Sequence, residues 1–233
     1  MTVLAFDTSA GACSAAVLGP GGAVLARRSE LLARGHAERL MPMIREVLAE
    51  AGREVTALDL IAVTVGPGAF TGIRIGLAAA RGLALASAVP LIGITSLAAA
   101  AEAVSEEERA GRPLLVAIDS RRGDFFVQLF AAAGDATSQP AAVSPDDLPR
   151  LLPPGDVIVA GDAAAAAASL LREAGRAAAV AERAGPPDTV AVARLALARF
   201  ARGEPPSSVR PLYLRAPQVT LPSRQSDGRP PHG

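Results

Sequence analysis

Two α/β lobes, each a mixed sheet with helices on its faces, are the architecture this sequence predicts, and three observations carry it. The chain has 233 residues, half of them apolar, enough for one large core or two small ones. The run Ala5-Phe6-Asp7-Thr8-Ser9-Ala10-Gly11 returns as Ala117-Ile118-Asp119-Ser120-Arg121-Arg122-Gly123 with the same spacing. Each copy is followed by the same succession of strand-like and helix-like apolar patterns. With no tryptophan and few aromatics, both cores have to be built from Ala, Leu, Val and Ile.

In the first half, the apolar run ending at Asp7 and the run 12–18 flank a hydroxyl-bearing turn, the signature of a hairpin. A third strand is expected near 23–29. The segment 37–51 places Leu40, Ile44, Val47, Leu48 and Ala51 at helical spacing. A β-branched run over 60–65 reads as a buried strand. Gly66-Pro67-Gly68 stops it, because Pro67 fixes its own φ and glycine reaches backbone angles other residues avoid. Thr71 is the expected N-cap of a helix over 73–87, and a strand over 91–94 and a helix over 96–104 follow.

The charged segment 105–112, with Gly111 and Pro113 at its end, marks the expected boundary between lobes 1–108 and 109–220. The second half gives a hairpin over 114–130, a strand around Ala141 and a short helix near 145–151. A strand over 157–160, a helix over 163–174, a strand over 178–181 and a helix over 189–201 complete the repeat. Pro205-Pro206 opens a proline-rich end, and the tail 221–233 has too little apolar surface to fold.

Composition excludes several functions. Positive and negative side chains balance at 23 each, which argues against a nucleic-acid binder driven by bulk charge. Every basic residue is Arg, so a P-loop NTPase or a lysine-based catalyst is ruled out. Cys13 stands alone and is expected as a buried bystander. No secretory leader is expected, since the start lacks basic residues and Asp7 interrupts the apolar run. Residues 82–101 carry no charge, but Pro90 and Gly93 break the stretch, so a soluble cytoplasmic protein is expected instead of a membrane span.

The passage Gly66-Pro67-Gly68-Ala69-Phe70-Thr71-Gly72-Ile73-Arg74-Ile75-Gly76 feeds a strand through a glycine-rich turn into a helix N-terminus. Such a turn either binds an anion or permits close packing; without a lysine, packing is the favoured reading. The passage resembles the bacterial TsaB (YeaZ-type) family, relatives of the TsaD/Kae-type, Gcp-like threonylcarbamoyltransferases. Phe6-Asp7-Thr8-Ser9, the segment from His36 to Ile44 and Pro211-Leu212-Tyr213-Leu214-Arg215 are similar to the same family, so the resemblance runs from about Thr2 to Thr220.

The resemblance implies an actin-like (ASKHA) fold of two duplicated RNase H-like lobes. In nucleotide-binding relatives of that superfamily, the turn Asp7-Thr8-Ser9 faces phosphate and magnesium. Here Asp7 either orients a metal or simply satisfies turn amides, and weak ATP or ADP binding is the most that is expected. TsaD-type enzymes carry a His-x-x-x-His metal pair where this chain has Ser96 and Ala100, so no metal site and no catalytic residue are expected. What the family then implies is a non-catalytic scaffold subunit for tRNA threonylcarbamoyladenosine synthesis. It would pair with a TsaD-like paralogue, receive a TsaE-like ATPase, self-pair in isolation and meet tRNA only through the complex.

The resemblance also implies a partner surface formed by two neighbouring helices, expected here through Leu40, Met41, Ile44, Leu48, Ile73, Gly76 and Ala80. Gly72, Gly76, Ala80 and Ala84 form a small-residue stripe that either receives the partner or packs within the lobe. Gly66, Pro67, Gly68, Thr71 and Gly72 are the structural loop beside it. An ASKHA-type nucleotide phosphotransferase, and less so a metal-dependent peptidase, are the alternatives.

Overall fold

The computed structural model of the chain describes residues 1–204 and 209–215. The tail 221–233 and Pro205-Pro206 lie outside the described residues.

The first sheet contains β1 (Val3–Asp7), β2 (Ala12–Leu18), β3 (Val24–Leu31), β4 (Leu60–Thr64) and β5 (Leu91–Ile94) in the order β3-β2-β1-β4-β5. The second contains β6 (Leu114–Asp119), β7 (Phe125–Phe130), β8 (Ala141–Val143), β9 (Val157–Ala160) and β10 (Ala178–Val180) in the order β10-β9-β6-β7-β8. Read from β8, the second order repeats the first strand for strand. In each sheet the hairpin pairs antiparallel and the later strands join parallel. The central strands β1 and β4 are buried along their whole length, which explains why they are apolar up to their last residues, Asp7 and Thr64.

The helices are α1 (His36–Glu50), α2 (Phe70–Ser87), α3 (Ser96–Glu102), the short α4 (Glu106–Arg109) between the sheets, α5 (Ala164–Glu173) and α6 (Thr189–Ala201). A 3-10 turn, Leu148–Leu151, stands where α1 stands in the first half. Helices α1 and α2 cover one face of the first sheet, through Leu40, Met43, Ile44, Val47, Ile73 and Leu77 against Leu4, Phe6, Ile61 and Val63. Helix α5 covers the outer face of the second sheet.

The layer between the sheets is made by α3 and α6, and its assignment crosses over. Helix α6 follows the second sheet in sequence, yet Val190, Val192, Ala193 and Ala196 pack on Val3, Ala5, Leu18, Leu60 and Ile92 of the first. Helix α3 follows the first sheet, yet Leu97, Ala100 and Ala101 pack on Leu114, Val116, Ile118 and Phe126 of the second. Each sheet's inner face is thus closed by the other half's last helix or its neighbour.

Two local features differ from the expectation. Helix α2 begins at Phe70, with Ala69 in the cap position and no side-chain cap, so Thr71 is an exposed first-turn residue and not the N-cap. The start is fixed by a tertiary contact instead: Ala69 N–H donates to the Ser9 carbonyl at 2.7 Å. The uncharged stretch 82–101 divides among α2, β5 and α3, and among the described residues no helix is long and apolar enough to cross a membrane.

Candidate functional site

At the end of β1, Asp7 is fully buried. Its Oδ1 accepts from Ser9 N–H at 3.0 Å, from the Ser9 hydroxyl at 2.6 Å and from the Thr64 hydroxyl. Its Oδ2 has no hydrogen-bond partner among the described residues. Burial raises the Asp7 carboxyl above its ordinary value, and the three hydrogen bonds oppose that only in part. The Ser9 hydroxyl also meets the Ser96 hydroxyl at 3.0 Å, and Thr8 Oγ1 donates to the Gly72 carbonyl at 2.8 Å. All three residues of the turn are therefore sealed inside.

The glycine-rich loop owes its composition to this turn. A Cβ at Gly68 would strike the Ser9 carbonyl oxygen, and one at Gly72 the Thr8 carbonyl oxygen. At Gly76 it would stand 2.8 Å from Thr8 Oγ1. The first turn of α2 thus receives the chain's own turn where a ligand could have sat. Gly66 adopts φ +96°, a left-handed angle, and Pro67 is buried beside it.

The matching turn of the second sheet keeps the pattern and loses the burial. Asp119 is half-exposed, its Oδ1 accepting from Arg121 N–H at 2.7 Å, and Asp162 Oδ1 caps the Asp119 N–H at 2.9 Å. Burial raises the Asp162 carboxyl above its ordinary value. The Arg121 guanidinium lies 3.4 Å from Asp119 and 4.0 Å from Asp162, on the side of Gly11. Between the two turns Ser9, Ser96, Ala100, Ile118 and Asp162 close on one another and leave no room for a ligand. Gly161 is pressed against the Ala117 carbonyl.

On the other side of Pro67 a cleft of about 500 Å³ is open. Loop 67–71, the turn Ser120–Arg122, Phe126 and the segment 212–215 form its walls. Tyr213 stacks on Phe70 with ring centroids 5.3 Å apart, and the Arg74 guanidinium lies 3.8 Å over the Phe70 ring and donates to the Tyr213 hydroxyl at 3.1 Å. Arg215 pairs with Asp124, and Leu212 N–H donates to the Val65 carbonyl at 2.8 Å. The segment 209–215 is thereby strapped across the first sheet to the hairpin of the second. Both motifs are visible in the sequence, but their contact is not. The signal was available, since each carries an aromatic residue that nothing else in its own segment explains.

The helix residues expected at a partner surface are mostly interior. Leu40, Ile44, Leu48, Ile73, Gly76 and Ala80 are buried against this chain's own sheet, and only Met41 of that set is exposed. The small-residue stripe faces inward because the Thr8 backbone needs the space. What α1 and α2 turn outward is Met41, Arg45, Arg74, Ala78 and Leu85, the last 88% exposed. Pro42 lies inside α1, which runs through it.

His36 Nε2 lies 3.2 Å from the Ala10 carbonyl and so fastens the start of α1 to the first turn. Among the described residues no cluster of His, Cys, Asp and Glu could hold a metal ion; His232 lies outside them. Cys13 is buried in β2, and burial pushes its thiol up to about 11.

A family model described as TsaD, tRNA N6-adenosine threonylcarbamoyltransferase, matches residues 28–202. The chain is similar to the tRNA threonylcarbamoyladenosine biosynthesis protein TsaB of Escherichia coli (strain K12). The two are 38% identical over 126 residues, 54% of this chain and 53% of that protein. The chain thus spans about half the length of the curated relatives it matches. It is also similar to a crystal structure from Pseudomonas aeruginosa of an uncharacterized protein with similarity to peptidase YEAZ. That match has 32% identity and a TM-score of 0.78, and covers 92% of this chain and 99% of that one. A ROK hexokinase from Thermus thermophilus shares the fold alone: 15% identity and a TM-score of 0.52, over 87% of this chain and 100% of that one. With the two like-ordered sheets, these matches establish an actin-like fold of two duplicated lobes.

Proposed function

The chain belongs to the TsaB/YeaZ family, and from that membership we propose that it is a non-catalytic subunit of the machinery making threonylcarbamoyladenosine beside the tRNA anticodon. It pairs with a TsaD-type paralogue that performs the transfer, and a TsaE-type ATPase docks on the pair. In isolation it self-pairs, and it meets tRNA within the complex.

The observation that carries this reading is the sealed space at Ser96. Where TsaD-type relatives are expected to hold a metal on two histidines, the Ser96 hydroxyl is bonded to Ser9, and Ala100 belongs to the apolar cluster around Ile118. Neither a hydroxyl turned inward nor a methyl group can ligate a metal. The outward faces of α1 and α2 supply the surface for pairing: Leu85 and Met41 are apolar and exposed, and Arg74 and Arg45 are exposed on the same two helices.

The test is reconstitution. The purified chain is mixed with the TsaD-type paralogue of the same cell and followed by size-exclusion light scattering, and then assayed for tRNA modification with the ATPase present. The expected result is a stoichiometric complex that modifies tRNA, while this chain alone modifies none. Modification by this chain alone, or an active TsaD-type enzyme that never associates with it, overturns the proposal.

The unpaired Asp7 Oδ2 is the one observation favouring a nucleotide phosphotransferase, with magnesium and phosphate at that turn. Saturable heat on titration with magnesium-ATP, abolished by Asp7→Asn, would support that alternative. The peptidase alternative requires a stoichiometric metal in the purified protein.

A further inference from the structure

The open cleft beyond Pro67 plays no part in the reading above, and its walls are of two kinds. Phe126, Leu212 and the Phe70–Tyr213 stack are apolar, and Tyr213 remains 40% exposed. Arg121, Arg122 and Arg215 line the same space, and among the described residues no carboxylate does. Two carboxylates that pair with Arg215 and Arg121 are set back: Asp124 beneath Arg215 is 6% exposed, and the side chain of Asp162 is largely covered. Asp119 lies alongside Arg121, whose own side chain is 62% exposed. Because these acids pair with Arg121 and Arg215 at contact distance, the cleft carries little net charge, recognises by contact geometry and exerts little steering field.

An exposed aromatic face beside forked guanidinium donors, in a space of this size, matches one ligand chemistry. A base stacks on the ring while its phosphate takes paired hydrogen bonds from arginine. We propose that this cleft receives a nucleotide unit of single-stranded RNA, its base against Tyr213 and its phosphate against the Arg121 guanidinium. The choice of RNA as the source rests on the proposed function; the chemistry is shared with a free mononucleotide. A base-paired strand is disfavoured, since a base must first be unpaired and unstacked to enter.

The chain offers its own reporter, because Tyr213 is its single tyrosine and it has no tryptophan. The full chain is titrated with a single-stranded oligoribonucleotide, with the duplex of the same sequence and with AMP, and tyrosine emission is corrected for absorption. The expected result is saturable quenching by the single strand, none by the duplex, and a shallow salt dependence set by one or two phosphates. Arg121 has φ +61°, so R121G is free of backbone strain and should weaken binding about fivefold or more. Y213L removes the stacking site and the reporter together, so its expected loss of binding is read from the fluorescence anisotropy of a labelled strand, with circular dichroism confirming the fold. R53A makes the same charge change outside the cleft and should bind as wild type does.

Quenching by AMP but not by the strand assigns the cleft to a free nucleotide and overturns the RNA source. Absence of quenching by either ligand, or equal losses in R121G and R53A, overturns the site. RNA binding here by a chain that fails reconstitution keeps this site and overturns only the functional reading.

Discussion

A buried carboxylate with one oxygen unpaired weighs against the fold, and Asp7 is such a group. Burial holds its proton more tightly in the folded chain than in the unfolded one. The stability contributed by the protonated form is therefore fully present below the ordinary value of 3.8 and is lost as pH rises through the raised folded value. Asp7→Asn keeps an oxygen for Ser9 and Thr64 and carries no charge. It is expected to melt higher than wild type near about pH 8, by about 2–4 °C for each kcal/mol recovered, with the gap closing toward about pH 4. Calorimetry across that range checks this; a gap that ignores pH would mean that Asp7 binds its proton equally well in the folded and unfolded chain. The sequence pointed to Asp7 and left metal anchoring and turn satisfaction open, because spacing cannot tell whether a turn faces a cleft or is covered by a helix end. Its echo, Asp119, has the same local pattern and half-exposed surroundings.

Within one helix, α2, two glycines give opposite expectations. Gly72→Ala drives a methyl group into the Thr8 carbonyl and should destabilise by about 1–3 kcal/mol or more. Gly82→Ala meets open space on the exposed side and should stabilise by up to about 1 kcal/mol. Denaturant melts of both variants settle the difference, and equal effects would contradict the close approach of turn and helix. The same distinction divides the two interface helices. Ile44→Glu buries an unpaired carboxylate against Leu4 and Phe6 and should unfold the chain, at a cost of several kcal/mol. Leu85→Asp alters a side chain that is 88% exposed and should leave the melt within about 0.5 kcal/mol of wild type while weakening association with the partner. Circular dichroism with light scattering separates the two effects. Helical periodicity found the apolar face of α1 correctly. It could not say whether this chain's own sheet or another protein covers that face, since both environments select the same side chains.

Across the whole molecule, α6 closes the first sheet from the far end of the sequence. A fragment of residues 1–108 keeps every strand of that sheet, yet leaves Val3, Ala5, Leu18, Leu60 and Ile92 open on one face. It is expected to lack a cooperative thermal transition and to bind a hydrophobic dye. A chain running through residue 204 and restoring α6 should recover the transition. A cooperative melt of the short fragment would show that the crossed helix layer is dispensable. Ion pairs add little to this assembly: Arg39 bridges Glu30 of β3 and Glu46 of α1 and lowers both carboxyls, but the network lies at the surface.

The sequence by itself determined the succession of strands and of the helices other than α4, the duplication and the family. Each is a local pattern repeated along the chain: apolar period, turn chemistry, and an eleven-residue motif read without its neighbours. Only the tertiary structure decided which faces meet. The crossing of α3 and α6, the inward turn of the Gly72–Ala80 stripe, the sealing of Asp7 and the meeting of Phe70 with Tyr213 all join residues far apart in sequence. Such contacts are selected by shape and burial in three dimensions, and a one-dimensional pattern carries the side chains but not the partners they find.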